Sequence, residues 1–243
     1  MDERICYFFS FLIEGLVFWN YVSILFVPKY STKIRFVCLS SGFFILFLSS
    51  LHNVFLLNCI LYTTVCFLYL IFLYKTSWYY ALFHSLLFEV LTGACELPVY
   101  SFLSTFLTSA SLRAADFHLK LLFAVMSKTL FFGVMSVLLL WLKKRQKPFL
   151  QYDKSVFFTI LIPFIAQIIV LILIAVCDST AMTATQNRLI TTSAFFLLIV
   201  NLLIFGLNQY NQKKHLEFTE MQLQLQKEHD SAEYYKMLIS LNE

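Results

Sequence analysis

The chain has 243 residues, of which 60% are hydrophobic, 18% aromatic and 13% charged, with 28 Phe, 13 Tyr, 5 Gly and 4 Pro. Soluble domains average roughly 45–50% apolar and about 25% charged residues, so this composition excludes a soluble globular enzyme, a disordered chain and a disulfide-rich secreted domain. The net charge of +4 comes from 18 Lys+Arg against 14 Asp+Glu, and in a membrane protein the placement of those charges matters more than their sum.

A bilayer core about 30 Å thick needs about 20 apolar residues of helix. In chain order the sequence predicts seven spans, at 5–27, 36–51, 54–74, 79–107, 119–142, 156–177 and 189–209. The first run lacks a small-residue cleavage site and reads as a span, not a signal peptide. Pro28-Lys29-Tyr30-Ser31-Thr32-Lys33 comes directly after it. The second span is short and leaves through His52-Asn53 without Gly or Pro. Residues 36–74 are too long for one crossing, so two helices joined by a tight turn are expected, with a re-entrant segment as the alternative. Lys75-Thr76-Ser77 precedes the fourth span. There Pro98 lacks a backbone donor and should bend the helix near Ala94, with Gly93 helping. The remaining breaks are 108–118, 143–155 and 178–188. Trp19, Trp78, Tyr79, Tyr80 and Trp141 fall near span ends, as interfacial anchors do. Cys6, Cys38, Cys59, Cys66, Cys95 and Cys177 all lie in or beside apolar runs and read as packing residues, with no metal-ligand spacing.

The expected fold class is therefore all-α: a polytopic membrane bundle over residues 1–209, continuing into a cytoplasmic coiled-coil-like helix over 210–243. Lys and Arg accumulate on the cytoplasmic side of membranes. With the C-terminus inside, the inner segments carry Lys29, Lys33, Arg35, Lys75, Lys143, Lys144, Arg145, Lys147, Lys154, Lys213, Lys214, Lys227 and Lys236. The outer ones carry Arg4, Arg113, Lys120 and Arg188. This bias supports an odd number of spans and places the N-terminus outside.

Ionisable groups inside a membrane are costly and should face the bundle with a partner. At ~1.5 Å per residue, Glu14, Glu96, Lys128 and Gln167 all fall roughly 14–16 Å along their spans. The fourth and fifth spans run antiparallel, so Glu96 and Lys128 can meet. Glu89 lies on the same face as Glu96, two turns deeper. This cluster reads as a structural ion pair that fixes helix register, as a pocket coupled to ligand binding, or as a conduction path. His84 reads as a packing histidine. No catalytic residue and no metal ligand set is apparent.

Residues 210–243 are polar, helix-prone and free of Gly and Pro. Read in sevens, Phe218, Leu225, Ala232 and Ile239 share one position. Met221, Glu228, Tyr235 and Asn242 share another, alternating by three and four. Phe218, Met221, Leu225, Ala232, Tyr235 and Ile239 are the expected seam of a parallel homodimer. Packing of this helix on another domain is the alternative.

The segments Tyr210-Asn211-Gln212-Lys213-Lys214, Glu217-Phe218-Thr219-Glu220-Met221-Gln222-Leu223 and Ser231-Ala232-Glu233-Tyr234-Tyr235-Lys236-Met237-Leu238 resemble the linker helix of GHKL-type sensor histidine kinases. These are peptide-sensing receptors of Gram-positive bacteria, such as the accessory-gene-regulator receptor. Glu14-Gly15-Leu16-Val17-Phe18-Trp19, Ala81-Leu82-Phe83-His84-Ser85 and Tyr152-Asp153-Lys154-Ser155 are similar to stretches of the family's membrane half, so the resemblance covers most of the chain. It implies a multi-pass protein of the bacterial cell membrane, with six or seven helices before the linker. The family's phosphoacceptor sits in a His-Asp-x-Lys/Arg box after the linker, with Asn-rich and Gly-rich ATP-binding boxes beyond it. His229-Asp230 is followed by Ser231-Ala232, without the basic residue, and no Gly-rich phosphate loop occurs. The chain therefore reads as truncated before the His box. No cofactor is expected in it, ATP and Mg belonging to the absent kinase domain.

The function expected is the membrane receptor region of a two-component sensor kinase, active in signal transduction such as quorum sensing. It would sense an extracellular peptide or other signal and pass it through the C-terminal helix. Its expected partners are the lipid bilayer, a second copy of itself, the signal and, only through the kinase domain, a response regulator; no nucleic acid is expected. A small transporter or channel is the alternative.

Overall fold

The computed structural model describes residues 2–52, 54–106, 117–143, 160–179 and 184–242. Seven helices occupy them: α1 (Asp2–Leu25), α2 (Thr32–Ser50), α3 (Phe55–Leu73), α4 (Trp78–Phe106), α5 (Phe117–Lys143), α6 (Leu161–Ser179) and α7 (Ala184–Asn242). The chain divides into two compact units, Met1–Ile204 and Phe205–Glu243. The expected domain boundary lay a little further on, at 209/210.

Among the described residues, six helices are long and apolar enough to cross a membrane: Arg4–Leu25, Thr32–Ser50, Leu56–Leu73, Trp78–Leu103, Phe117–Leu140 and Arg188–Asn211. The protein is thus a helical, membrane-embedded bundle. The sixth expected span, 156–177, begins outside the described residues. Its described apolar stretch, Leu161–Leu173, is shorter than the other six.

Residues 36–74 form two helices. The chain turns after Ser50, with Leu51 N–H on Leu48 O and His52 N–H on Ser49 O. The Ser49 hydroxyl then bonds Asn58 Oδ1 on the next helix at 2.7 Å. At the opposite end of these helices, the α1–α2 and α3–α4 connections are stitched together. Pro28 bridges Tyr74, Lys29 N–H donates to Leu73 O, and Lys75 N–H donates to Val27 O, both at 2.9 Å.

Helix α4 is the hub of the first unit. It packs on α3, α5 and α6, while α1 packs on α2 and α5. Its span is mostly buried, whereas the other spans leave most of their apolar residues unburied. Such surfaces suit lipid and would be a liability in water. Buried hydroxyls on α4 satisfy themselves along the helix, Ser85 on Ala81 O and Thr92 on Phe88 O, as polar groups in hydrocarbon must. The helix continues through Pro98.

Close approach of α4 and α6 depends on Gly93. A Cβ there would stand 2.7 Å from Val170 Cγ1. Beside this contact Val90, Leu97, Ala166 and Val170 form one apolar cluster with Ile190, Ala194 and Leu197 of α7. A Thr191–Ser101 hydroxyl bond of 2.5 Å adds a polar tie. On the other side of α4, Phe88 is ringed by Phe18, Tyr21, Tyr62 and Phe131. Edge and stacked ring contacts of this kind contribute beyond their buried area.

In the second unit, every described side chain from Glu220 to Met237 is exposed. Phe218, Met221, Leu225, Ala232 and Tyr235 all face outward from the single chain. So do Leu223, Tyr234 and Met237, which lie off the expected seam. The Ile239 side chain lies outside the described residues.

Candidate functional site

Five helices of the first unit meet at a buried polar cluster. Glu14 comes from α1, Glu89 and Glu96 from α4, Lys128 from α5 and Gln167 from α6, and α3 adds neutral groups. The structure sorts them into two layers along α4, because residues seven apart on a helix share a face but lie ~10 Å apart along its axis.

The upper layer is an ion triad. Lys128 Nζ donates to Glu96 Oε1 at 2.6 Å and also pairs with Glu14. One ammonium therefore ties α5 to both α1 and α4. Glu14 is 4% exposed and Lys128 5%, while the Glu96 side chain is 31% exposed. Glu96 is thus the accessible member of the triad.

The lower layer is built on Glu89. Gln167 Nε2 donates to its Oε1 at 2.7 Å, and the Thr63 hydroxyl donates to its Oε2. The Cys59 thiol stands beside the same carboxylate. Tyr62, also on α3, faces Glu14. Gln167 Oε1 is buried without a hydrogen-bond partner. A buried polar atom with no partner costs about 1–3 kcal/mol. Gln167 Oε1 is therefore the unsatisfied oxygen of the cluster among the described residues.

Counting depth along each span brings Glu14, Glu96 and Lys128 together, but it puts Gln167 at their level, whereas the structure sets it one layer away on Glu89, and it does not assign Glu14 as the second partner of Lys128. It also misses α3 altogether. Thr63, Tyr62 and Cys59 carry no charge, and a threonine in a membrane helix usually bonds its own backbone, as Thr64 does to Ile60 O. His84 is seated among Tyr21, Phe26, Tyr80 and Phe83. Its Nδ1 and the Tyr21 hydroxyl share a 2.6 Å hydrogen bond.

Chemically, the cluster offers carboxylates, an ammonium, an amide and hydroxyls. No nucleophile–base pair is assembled among these groups. Among the described residues no group of three His, Cys, Asp or Glu side chains is placed to hold a metal ion. No protein-family model, no curated protein and no solved structure matches the chain.

Proposed function

We propose that the chain is the membrane receptor region of a sensor histidine kinase, crossing the membrane seven times with its N-terminus outside. An extracellular signal of peptide character favours one packing of the bundle. The polar tail of α7 carries the change, as a homodimer, to a kinase module outside residues 1–243, which would use ATP and Mg and pass phosphate to a response regulator. The crossing added to the six long apolar helices is α6.

The observation that carries this reading is the row Phe218, Met221, Leu225, Ala232 and Tyr235, all exposed on a helix that also exposes Leu223, Tyr234 and Met237 off the row. Apolar residues at alternating three- and four-residue steps form a dimer seam, and exposed apolar groups at that spacing lack their partner in a single chain. The resemblance of residues 210–238 to a kinase linker supports the same reading. A ligand can drive signalling only by binding the two packings with different affinity. The triad joining α1, α4 and α5 is the element such a ligand would bias.

The test joins residues 1–243 to the catalytic region of a GHKL-type kinase. One inserted residue near Gln226 rotates the downstream helix by about 100°, and seven nearly restore phase. Autophosphorylation should change with one residue and return with seven. Equal output from both insertions would remove the signalling-helix reading.

The half-exposed Glu96 beside a buried ammonium favours a small transporter or channel as a second reading, since intramembrane charges often mark ion pathways. Cation or proton flux into proteoliposomes, abolished by Lys128→Met, would support it.

A further inference from the structure

Among the described residues, the α1–α2 and α3–α4 connections carry cations but no anions. No Asp or Glu occurs between Glu14 and Glu89, a stretch that holds Lys29, Lys33, Arg35 and Lys75. Arg35 is only 9% exposed. Its guanidinium lies over the rings of Trp19 and Tyr74 at 5.1 and 5.5 Å. It donates to the Tyr74 hydroxyl at 2.9 Å and folds back to Thr32 Oγ1 at 3.2 Å. Its Nε is buried without a partner, and among the described residues no carboxylate pairs with it. Two π faces and two neutral hydroxyls leave this buried charge uncompensated, and buried charges are normally paired.

The same guanidinium sits at the start of α2. That helix begins after Ser31, whose side chain makes no cap, and its first turn contains no acidic residue. The first backbone N–H groups of a helix have no intrahelical acceptor, and the helix dipole is positive there, which together make an anion site. Lys33 lies exposed in this turn. Lys29 is held nearby, its Nζ on Ile71 O at 2.8 Å. The membrane-spanning stretch of α2 starts at Thr32 itself. Directly beyond the site, Ile34 and Val37 are exposed apolar side chains.

We propose that the first turn of α2 binds the phosphate of an anionic phospholipid headgroup, with Arg35 and Lys33 as its cations. Backbone N–H groups of the turn supply further donors, and Ile34 and Val37 contact the acyl chains. The location favours a lipid over a free anion, because the donors stand where the apolar helix begins and an acyl-chain surface adjoins them. The proposal is independent of the sensor reading and holds equally for a transporter.

The experiment uses purified residues 1–243 in neutral detergent, titrated with phosphatidylglycerol, phosphatidylcholine or inorganic phosphate. Thermal unfolding and native mass spectrometry of bound lipid are the readouts. Phosphatidylglycerol should raise the unfolding temperature and be retained as a bound adduct, and the other two should not. Lys33→Gln should weaken the apparent lipid affinity about fivefold, the scale of one basic group near an anionic surface. Arg35→Gln should weaken it further, and Lys227→Gln, on the exposed tail, should leave it unchanged. The Lys33 side chain is exposed, so Lys33→Gln decides the matter even if Arg35→Gln does not fold. Lipid binding untouched by Lys33→Gln, or weakened as much by Lys227→Gln, overturns the site. The same protection from inorganic phosphate assigns it to a free anion and overturns the lipid.

Discussion

Lys128 Nζ lies 2.6 Å from Glu96 Oε1, yet Glu96 is not its only counter-ion. The same ammonium pairs with Glu14, so the two carboxylates are not equivalent. Glu14 is enclosed and Glu96 reaches the surface of the bundle.

That asymmetry predicts unequal mutational costs. Lys128→Met leaves the buried Glu14 without its cation and should cost about 3–5 kcal/mol. Adding Glu14→Gln to Lys128→Met should recover much of that loss. Glu96→Gln alone, at the exposed member with Glu14 still paired, should cost about 1 kcal/mol or less. Thermal unfolding in detergent ranks the three. Equal losses from Glu96→Gln and Lys128→Met would show that Glu14 is not the principal partner.

The Glu89 layer predicts coupling. Thr63→Val and Gln167→Leu each remove a donor to one buried carboxylate, costing about 1–3 kcal/mol apiece. Because both act on Glu89, the double variant should depart from the sum by about 0.5–3 kcal/mol. Strict additivity would mean that the two side chains do not share the carboxylate.

At the α4–α6 contact, Gly93→Ala drives a methyl into Val170, a β-branched side chain with little rotamer freedom. Overpacking of this kind costs about 1–3 kcal/mol. Val170→Ala in the same chain should return most of it. If Gly93→Ala alone is neutral, α6 does not approach α4 as closely as the structure places it.

The number of crossings turns on α6. A reporter fused after Pro148 should lie in the cytoplasm, and one within 178–188 outside. Both fusion points flank α6, so reports from the same side would reduce the count to six spans.

Much of the bundle was legible in the sequence because apolar run length fixes where helices start and stop. The tight turn at His52 and the antiparallel α4–α5 pair both stem from that. The shared depth of Glu14, Glu96 and Lys128 was legible too, since position along a helix axis needs only the rise per residue, whereas Gln167, counted to the same depth, lies in the Glu89 layer. Rotation about the axis and choice of neighbour were not. Every span here is apolar almost all round, so no amphipathic stripe says which face meets which helix. Hence the α1–α5 contact and the contribution of Thr63 came only from the structure. Arg35 reads in the sequence as one more basic loop-end residue. It is buried against Trp19 and Tyr74, and Tyr74 is bridged to Pro28, a contact between distant connections that no local pattern encodes.

The dimeric signalling helix is tested most directly by cysteine crosslinking in native membranes. Residue 225 lies on the expected seam, and residue 223 is rotated away from it by about 200° at ~100° per residue. Leu225→Cys should form a disulfide with its twin far faster than Leu223→Cys, although both side chains are exposed in the single chain. Equal rates at the two positions, or no crosslink at either, would contradict the parallel dimer.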